Sequence, residues 1–172
     1  MVSRKDKKRS LRDFIRDDPE DDDEWEEVHK EVWEELERGH PKAAALLAAS
    51  IVDDCLKFAI QSRFVELSAD DKDRLFDGHA PLATFAARTQ VGYALGIYGK
   101  KTKETLNVIR HVRNGFAHAR RRVQFETPEV SRLCSKLDLI GLKVIGNRAS
   151  LGSLNYDIAD PRQRFLAAAH GI

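Results

Sequence analysis

The stretch "KAAALLAASIVDDCLKFAIQSRFVEL", Lys42 to Leu67, most constrains how this chain folds. In helical projection its apolar residues cover most sides, the pattern of a central, largely enclosed helix. Such a helix needs other helices around it. Pro41 suits its first turn, and Asp53 and Asp54 interrupt the apolar run. A chain of 172 residues buries a core of this kind without disulfide or metal staples.

The remaining segments supply the surrounding helices. "WEEVHKEVWEELERG" sets Trp25, Val28, Val32 and Leu36, with Trp33, on adjacent turns and stops at Gly39 and Pro41, an amphipathic helix. "SADDKDRLFDGHAP" opens on a capping serine and closes on glycine and proline, which predicts a short helix and a turn. "PLATFAARTQVGYALGI" predicts another helix with Pro81 near its first turn, and Gly92 and Gly96, one turn apart, predict close approach of a neighbouring backbone. "FETPEVSRLCSKL" predicts a helix opened by Pro128, and "PRQRFLAAAHGI" a final one. Between Asp138 and Asp160 the short apolar runs are broken by glycines, so a small hairpin or ordered loop fits there. No repeat at solenoid spacing occurs. The expected fold class is all-α: an antiparallel helical bundle over residues 25–172, with room for that hairpin or loop near the C-terminus. Residues 1–24 are expected to form a disordered charged tail, basic up to Arg16 and acidic from Asp17.

With 42% hydrophobic and 33% charged residues and a net charge of +1, the chain exerts no global pull on nucleic acid or membrane, so electrostatic specificity has to be local. Cys55 and Cys134 are far apart, with no CxxC, which predicts a reduced, cytoplasmic chain. Neither a secretory signal nor a long apolar run is present, so no membrane association is expected. "GIYGKKT" is not a Walker loop, because that spacing demands glycine where Ala94 stands. His111 and His118 lie too far apart for an HxxxH pair, and His29, His40, His79 and His170 have no partner at ligand spacing; no metal and no cofactor are expected.

"IRHVRNGFAHARRR", Ile109 to Arg122, raises the functional question. At about 100° per residue, Leu106, Ile109, Val112, Phe116 and Ala117 share one sector, and Arg113 falls within it. The opposite face collects Asn107, Arg110, His111, Asn114, His118, Arg121 and Arg122. An arginine in an apolar stripe is costly unless paired. Packing would pair Arg113 with Asp53 or Asp54. Chemistry would bring Arg113 to His118 in an anion pocket, either through a helix loosened at Gly115 or across a two-fold axis. His118 as a helix-end cap and the arginines as a solvated helix end are the plainer alternatives.

"RNGFAH" resembles the Arg-x4-His signature of the higher eukaryotes and prokaryotes nucleotide-binding superfamily, including the polar residue after the arginine, Asn114. "LLAASIVDDCLKFAIQSRF", "LFDGHAPLATFAARTQVGYALGIY", "LNVIRHVRNGFAHA" and "DPRQRFLAA" together resemble the mannitol operon repressor family, in that family's order, from about Gly39 onward. The family resemblance implies an all-helical, dimeric regulator of a sugar-utilisation operon that lacks an obvious DNA-reading motif. The superfamily resemblance implies a metal-independent endoribonuclease, or an inactive interaction module descended from one. In the ribonuclease His118 would serve the 2′-hydroxyl or the leaving oxygen, Arg113 the phosphate and Asn114 orientation, while Arg110, Arg120, Arg121 and Arg122 would hold flanking phosphates. In the regulator the basic opening segment would touch DNA weakly and without base reading, since no helix-turn-helix is present. The expected partners are a second copy of the chain and an RNA or protein.

Overall fold

The computed structural model describes residues 22–172, with side chains from residue 29 onward. Helices α1 (Asp22–Arg38), α2 (Pro41–Gln61), α3 (Ala69–Phe76), α4 (Phe85–Ala94), α5 (Lys100–His118) and α6 (Pro128–Cys134) are followed by strands β1 (Lys143–Ile145), β2 (Arg148–Leu151) and β3 (Leu154–Asp157), and α7 (Pro161–His170) closes the chain. The described chain is mostly helical with a small sheet, so the expectation of an all-α bundle holds only in part. Helix α1 starts at Asp22, ahead of the expected Trp25. The expected tail up to residue 21, and the side chains of Trp25 and Val28, lie outside the described residues.

Helix α2 is the centre that its composition predicts. His40 Nδ1 accepts from the Lys42 N–H at 3.2 Å, Pro41 occupies the first turn, and Ala44, Ala45, Ala48, Ala49, Val52, Leu56 and Ile60 are buried. Its alanines let α5 and α7 pack close, and α7 returns a matching run, Ala167 to Ala169. Three phenylalanines tie the far end together: Phe116 on α5 meets Phe125 at 4.9 Å between ring centroids, and Phe125 meets Phe165 on α7 at 5.4 Å. Aromatic pairs at such separations add roughly 0.5–1.5 kcal/mol beyond their buried area.

Among the described residues one charged side chain is buried in this core, and it is not Arg113. Arg88 on α4 is 8% exposed. Its Nε donates to Asp53 Oδ1 at 2.8 Å and its Nη2 to Asp53 Oδ2 at 2.6 Å, while Nη1 reaches the Leu82 carbonyl at 2.7 Å. Asp53 therefore already has its guanidinium, and Arg113, which packing would have paired with Asp53 or Asp54, bonds to Asn114 instead. Two further arginines, both on α7, satisfy helix-end carbonyls. Arg162 Nη2 donates to the Leu36 and Gly39 carbonyls at 2.6 Å each, and Arg164 donates to those of Cys134 at 3.1 Å and Leu137 at 2.9 Å. These bonds cap the ends of α1 and α6 with charge of the favourable sign.

Two local expectations need correction. Pro81 precedes α4 rather than opening it; the cap is Thr84, whose Oγ1 accepts from the Ala87 N–H at 3.1 Å. Gly92 and Gly96 do not share a packing face. A Cβ on Gly92 would come within 2.7 Å of the Tyr98 hydroxyl oxygen, a side chain from just beyond the same helix, whereas Gly96 adopts φ +69° past the end of α4. The segment expected to hold a hairpin or loop forms an antiparallel three-stranded meander, β1-β2-β3. Both of its turns are two-residue loops with glycine first, Gly146-Asn147 and Gly152-Ser153, at φ +57° and +55°. Ala149 and Tyr156 are its buried residues, on strands packed against α7.

Tyr156 leads into a cluster that no local spacing reveals. Its hydroxyl is hydrogen-bonded to His170 Nδ1 at 2.8 Å. His170 stacks on Trp33 at 4.7 Å and lies 4.9 Å from the His29 ring. Trp33 Nε1 donates to His29 Nε2 at 3.1 Å. Burial first, and then the neighbouring His29, push the His170 imidazole down to about 4, and burial lowers His29 in the same sense.

Two predictions follow from these contacts. Asp53→Ala or Arg88→Ala alone strands the other charge and should cost about 3–5 kcal/mol, while replacing both with apolar residues should cost less than the sum; urea denaturation of the three variants measures this. For the histidine, the unfolded chain titrates near 6.5 and the folded one near 4, so protons favour the unfolded chain between those values. His170 should therefore lower stability progressively as pH falls from about 6.5 to about 4. His170→Phe, which keeps the ring stack, should flatten that part of the profile relative to the unsubstituted chain.

Candidate functional site

Helix α5 buries Thr105, Leu106, Ile109, Val112 and Phe116. That stripe anchors the helix against α2, α4 and α6. Arg113 stands about two turns beyond Leu106 on nearly the same line of the helix, yet Leu106 is buried and Arg113 is exposed. The neighbours that cover α5 at Leu106 do not cover it at Arg113, so its place in the apolar sector does not bury it. Its guanidinium is held instead by the adjacent side chain: Arg113 Nη1 donates to Asn114 Oδ1 at 3.0 Å. That bond leaves the other guanidinium nitrogens facing solvent.

His118 is exposed at the last position of α5. The helix runs unbroken through Gly115, so the expected loosening there does not occur. On a continuous helix Arg113 and His118 project about 140° apart, and one protomer does not aim both at the same small anion. Asn114 and His118, four apart, share a face. Gly115 is exposed, and a Cβ built on it meets nothing within 4 Å.

Arg110 is partly committed to its own helix. Its Nη2 lies 3.5 Å from Asn107 Oδ1 and 3.4 Å from His111 Nε2, while Nε is buried without a hydrogen-bond partner. Asn107 in turn donates to the Lys103 carbonyl at 3.0 Å. Arg121 and Arg122 do not continue the polar stripe, as helical projection had them, and Arg120 leaves the helix with them. Ala119 turns extended at φ −62°, ψ 123°, ending the helix, and the chain swings through the arginines before Phe125 re-enters the core. All three are exposed. They form a basic strap pinned between Phe116 and Phe125, beside the exposed end of α5.

The structure thus brings Arg113 and Asn114 into contact, sets His118 on the same helix end, and places the arginine strap next to it. Sequence reasoning missed the meeting of His29 with His170, because the two are far apart in the chain and only the packing of α1 against α7 joins them. Among the described residues no group of three or more histidine, cysteine or acidic side chains is arranged to hold a metal ion. Nor is any described helix long and apolar enough to cross a membrane. Cys55 is exposed and Cys134 buried, both as free thiols, the latter pushed up to about 12 by burial. Compared with known proteins, the chain matches no family model, no curated protein and no solved structure.

Gly115→Ala separates the use of this face from its folding. The substitution meets open space in a helix interior and should raise stability by about 0.5–1 kcal/mol. If a ligand backbone seats between Asn114 and His118, the added methyl should weaken its binding several-fold. Thermal denaturation and a nucleic-acid binding titration on the same variant read the two effects.

Proposed function

We propose that this chain is a helical regulator of the mannitol operon repressor kind, a cytoplasmic homodimer that lowers expression of a sugar-utilisation operon without reading DNA bases by itself. The observation that carries the reading is the mutual dependence of the segments bearing the resemblance. "IVDD" supplies Asp53 to Arg88 of "FAART", and "RNGFAH" supplies Phe116, which meets Phe165 of "DPRQRF" through Phe125. Four stretches that resemble one family at separate places in the chain contribute to one core. The working surface is then the exposed end of α5, with Arg113, Asn114, His118 and the strap of Arg120, Arg121 and Arg122, which suits a phosphate-bearing or acidic partner.

A second reading, metal-independent endoribonuclease, is favoured by one specific observation: Arg113 is exposed and its guanidinium is oriented by Asn114, with no carboxylate paired to it among the described residues. His118 would move the proton of the 2′-hydroxyl or of the leaving oxygen, and Arg113 would stabilise the charge growing on the phosphate. Such cleavage needs the 2′-hydroxyl, so RNA is the substrate and DNA is not. Because the two side chains diverge within one protomer, this reading requires Arg113 of one chain and His118 of a second.

Transcript profiling of cells lacking the chain tests the first reading. Transcripts of a sugar-utilisation operon should rise, and rise equally with Arg113→Ala plus His118→Ala; an unchanged profile overturns it. RNA incubated with purified protein and chelator tests the second. Cleavage should disappear in either single variant and return in part when the Arg113→Ala and His118→Ala chains are mixed. Intact RNA with the unsubstituted protein removes the enzyme.

A further inference from the structure

Away from α5, the second half of α1 and the first half of α2 leave an open groove of about 310 Å³ between them. Val32, Leu36, Leu47 and Ile51 line it with apolar surface, and Glu35 and Asp54 stand at its edge. Leu47 is 55% exposed and Val32 38%, large apolar side chains that the described fold leaves uncovered. The adjoining surface of α1 adds Glu31, while Glu34 there is already paired with Arg38 at 3.2 Å. The Asp54 carboxyl is held above its ordinary range by burial first and then by the neighbouring Asp53, against which Arg88 and Lys57 act only in part. The groove therefore suits an apolar ridge flanked by cations.

The chain carries a segment of that chemistry outside the described residues. "SLRDFIR", residues 10–16, spaces Leu11, Phe14 and Ile15 at i, i+3 and i+4, the spacing that puts three side chains on one side of a helix. Arg9, Arg12 and Arg16 surround them. Its tether is long enough. Val32 lies about 15 Å along α1 from Asp22 at 1.5 Å per residue, and the stretch from Arg16 to Asp22 spans up to about 20 Å when extended.

We propose that residues 10–16 dock in cis on the α1–α2 groove, with Leu11, Phe14 and Ile15 against Val32, Leu36 and Leu47 and with Arg12 and Arg16 against Glu35 and Asp54. A docked segment is withdrawn from nucleic-acid phosphate. The basic arm of this chain is then a self-contact first, released when an acidic partner or high salt competes for its arginines. The inference does not depend on whether α5 serves a regulator or a ribonuclease.

Hydrogen exchange followed by mass spectrometry on the full chain tests it. Amides of residues 10–16 should exchange at least about tenfold more slowly than in Phe14→Ser, at a protein-concentration-independent rate, and more rapidly in high salt. Leu47→Arg, at an exposed position that leaves the core intact, and Glu35→Lys, at the rim, should each return the segment to the rate of Phe14→Ser. Exchange in the unsubstituted chain as fast as in Phe14→Ser overturns the proposal. So does protection that survives both groove variants. Protection that grows with concentration in step with a dimer overturns the cis contact and assigns the groove to the arm of a second copy.

Discussion

The fold depends on the bidentate pair between Arg88 and Asp53. Helix α2 is apolar on most sides and so needs neighbours on most sides, yet Asp53 sits midway along it and would carry an uncompensated charge into any close contact. Arg88 removes that obstacle with both carboxylate oxygens satisfied and a third bond to the Leu82 carbonyl. The pair thereby fixes α4 against α2 in one register, because a guanidinium fork accepts little misalignment. It also fixes the approach to α4, since Leu82 belongs to the segment leading into that helix.

Asp53 is occupied by Arg88, while Arg113 is exposed and bonds to Asn114 near the end of α5. The same economy governs the rest of the chain. Arg162 and Arg164 spend their charge on helix-end carbonyls. Among the exposed cations, Arg113 and the strap from Arg120 to Arg122 lie near one another at the end of α5, where Phe116 and Phe125 enter the core on either side of the strap.

Much of the helical framework was legible in the sequence. The alanine-rich centre, Pro41 and Pro128 in first turns, Ser68 as a cap and the glycine-broken C-terminal segment each act through neighbours a few residues away, and each appears as its local chemistry requires. The failures share a different cause. Arg113 fell in the apolar sector by its angle on the helix, which left burial against an acid and exposure in an anion pocket both open, because angle reports which side a residue faces and not how far the covering elements extend. Gly92 and Gly96 were read as one packing face because they are one turn apart, whereas the helix ends between them and Tyr98 folds back onto the first. The arginines after His118 were placed on a helix that stops at Ala119.

By itself, then, the sequence determined the helical elements, the central place of α2 and the concentration of cationic and hydrogen-bonding groups around residues 110–122. These follow from propensity, periodicity and capping, all local in the chain. Tertiary structure alone decided which arginine is buried, that Arg113 is open and leans on Asn114, and that His29 and His170 share one aromatic cluster. Each of these is a competition between partners distant in sequence, settled by which carboxylate, ring or carbonyl the packed helices bring within reach.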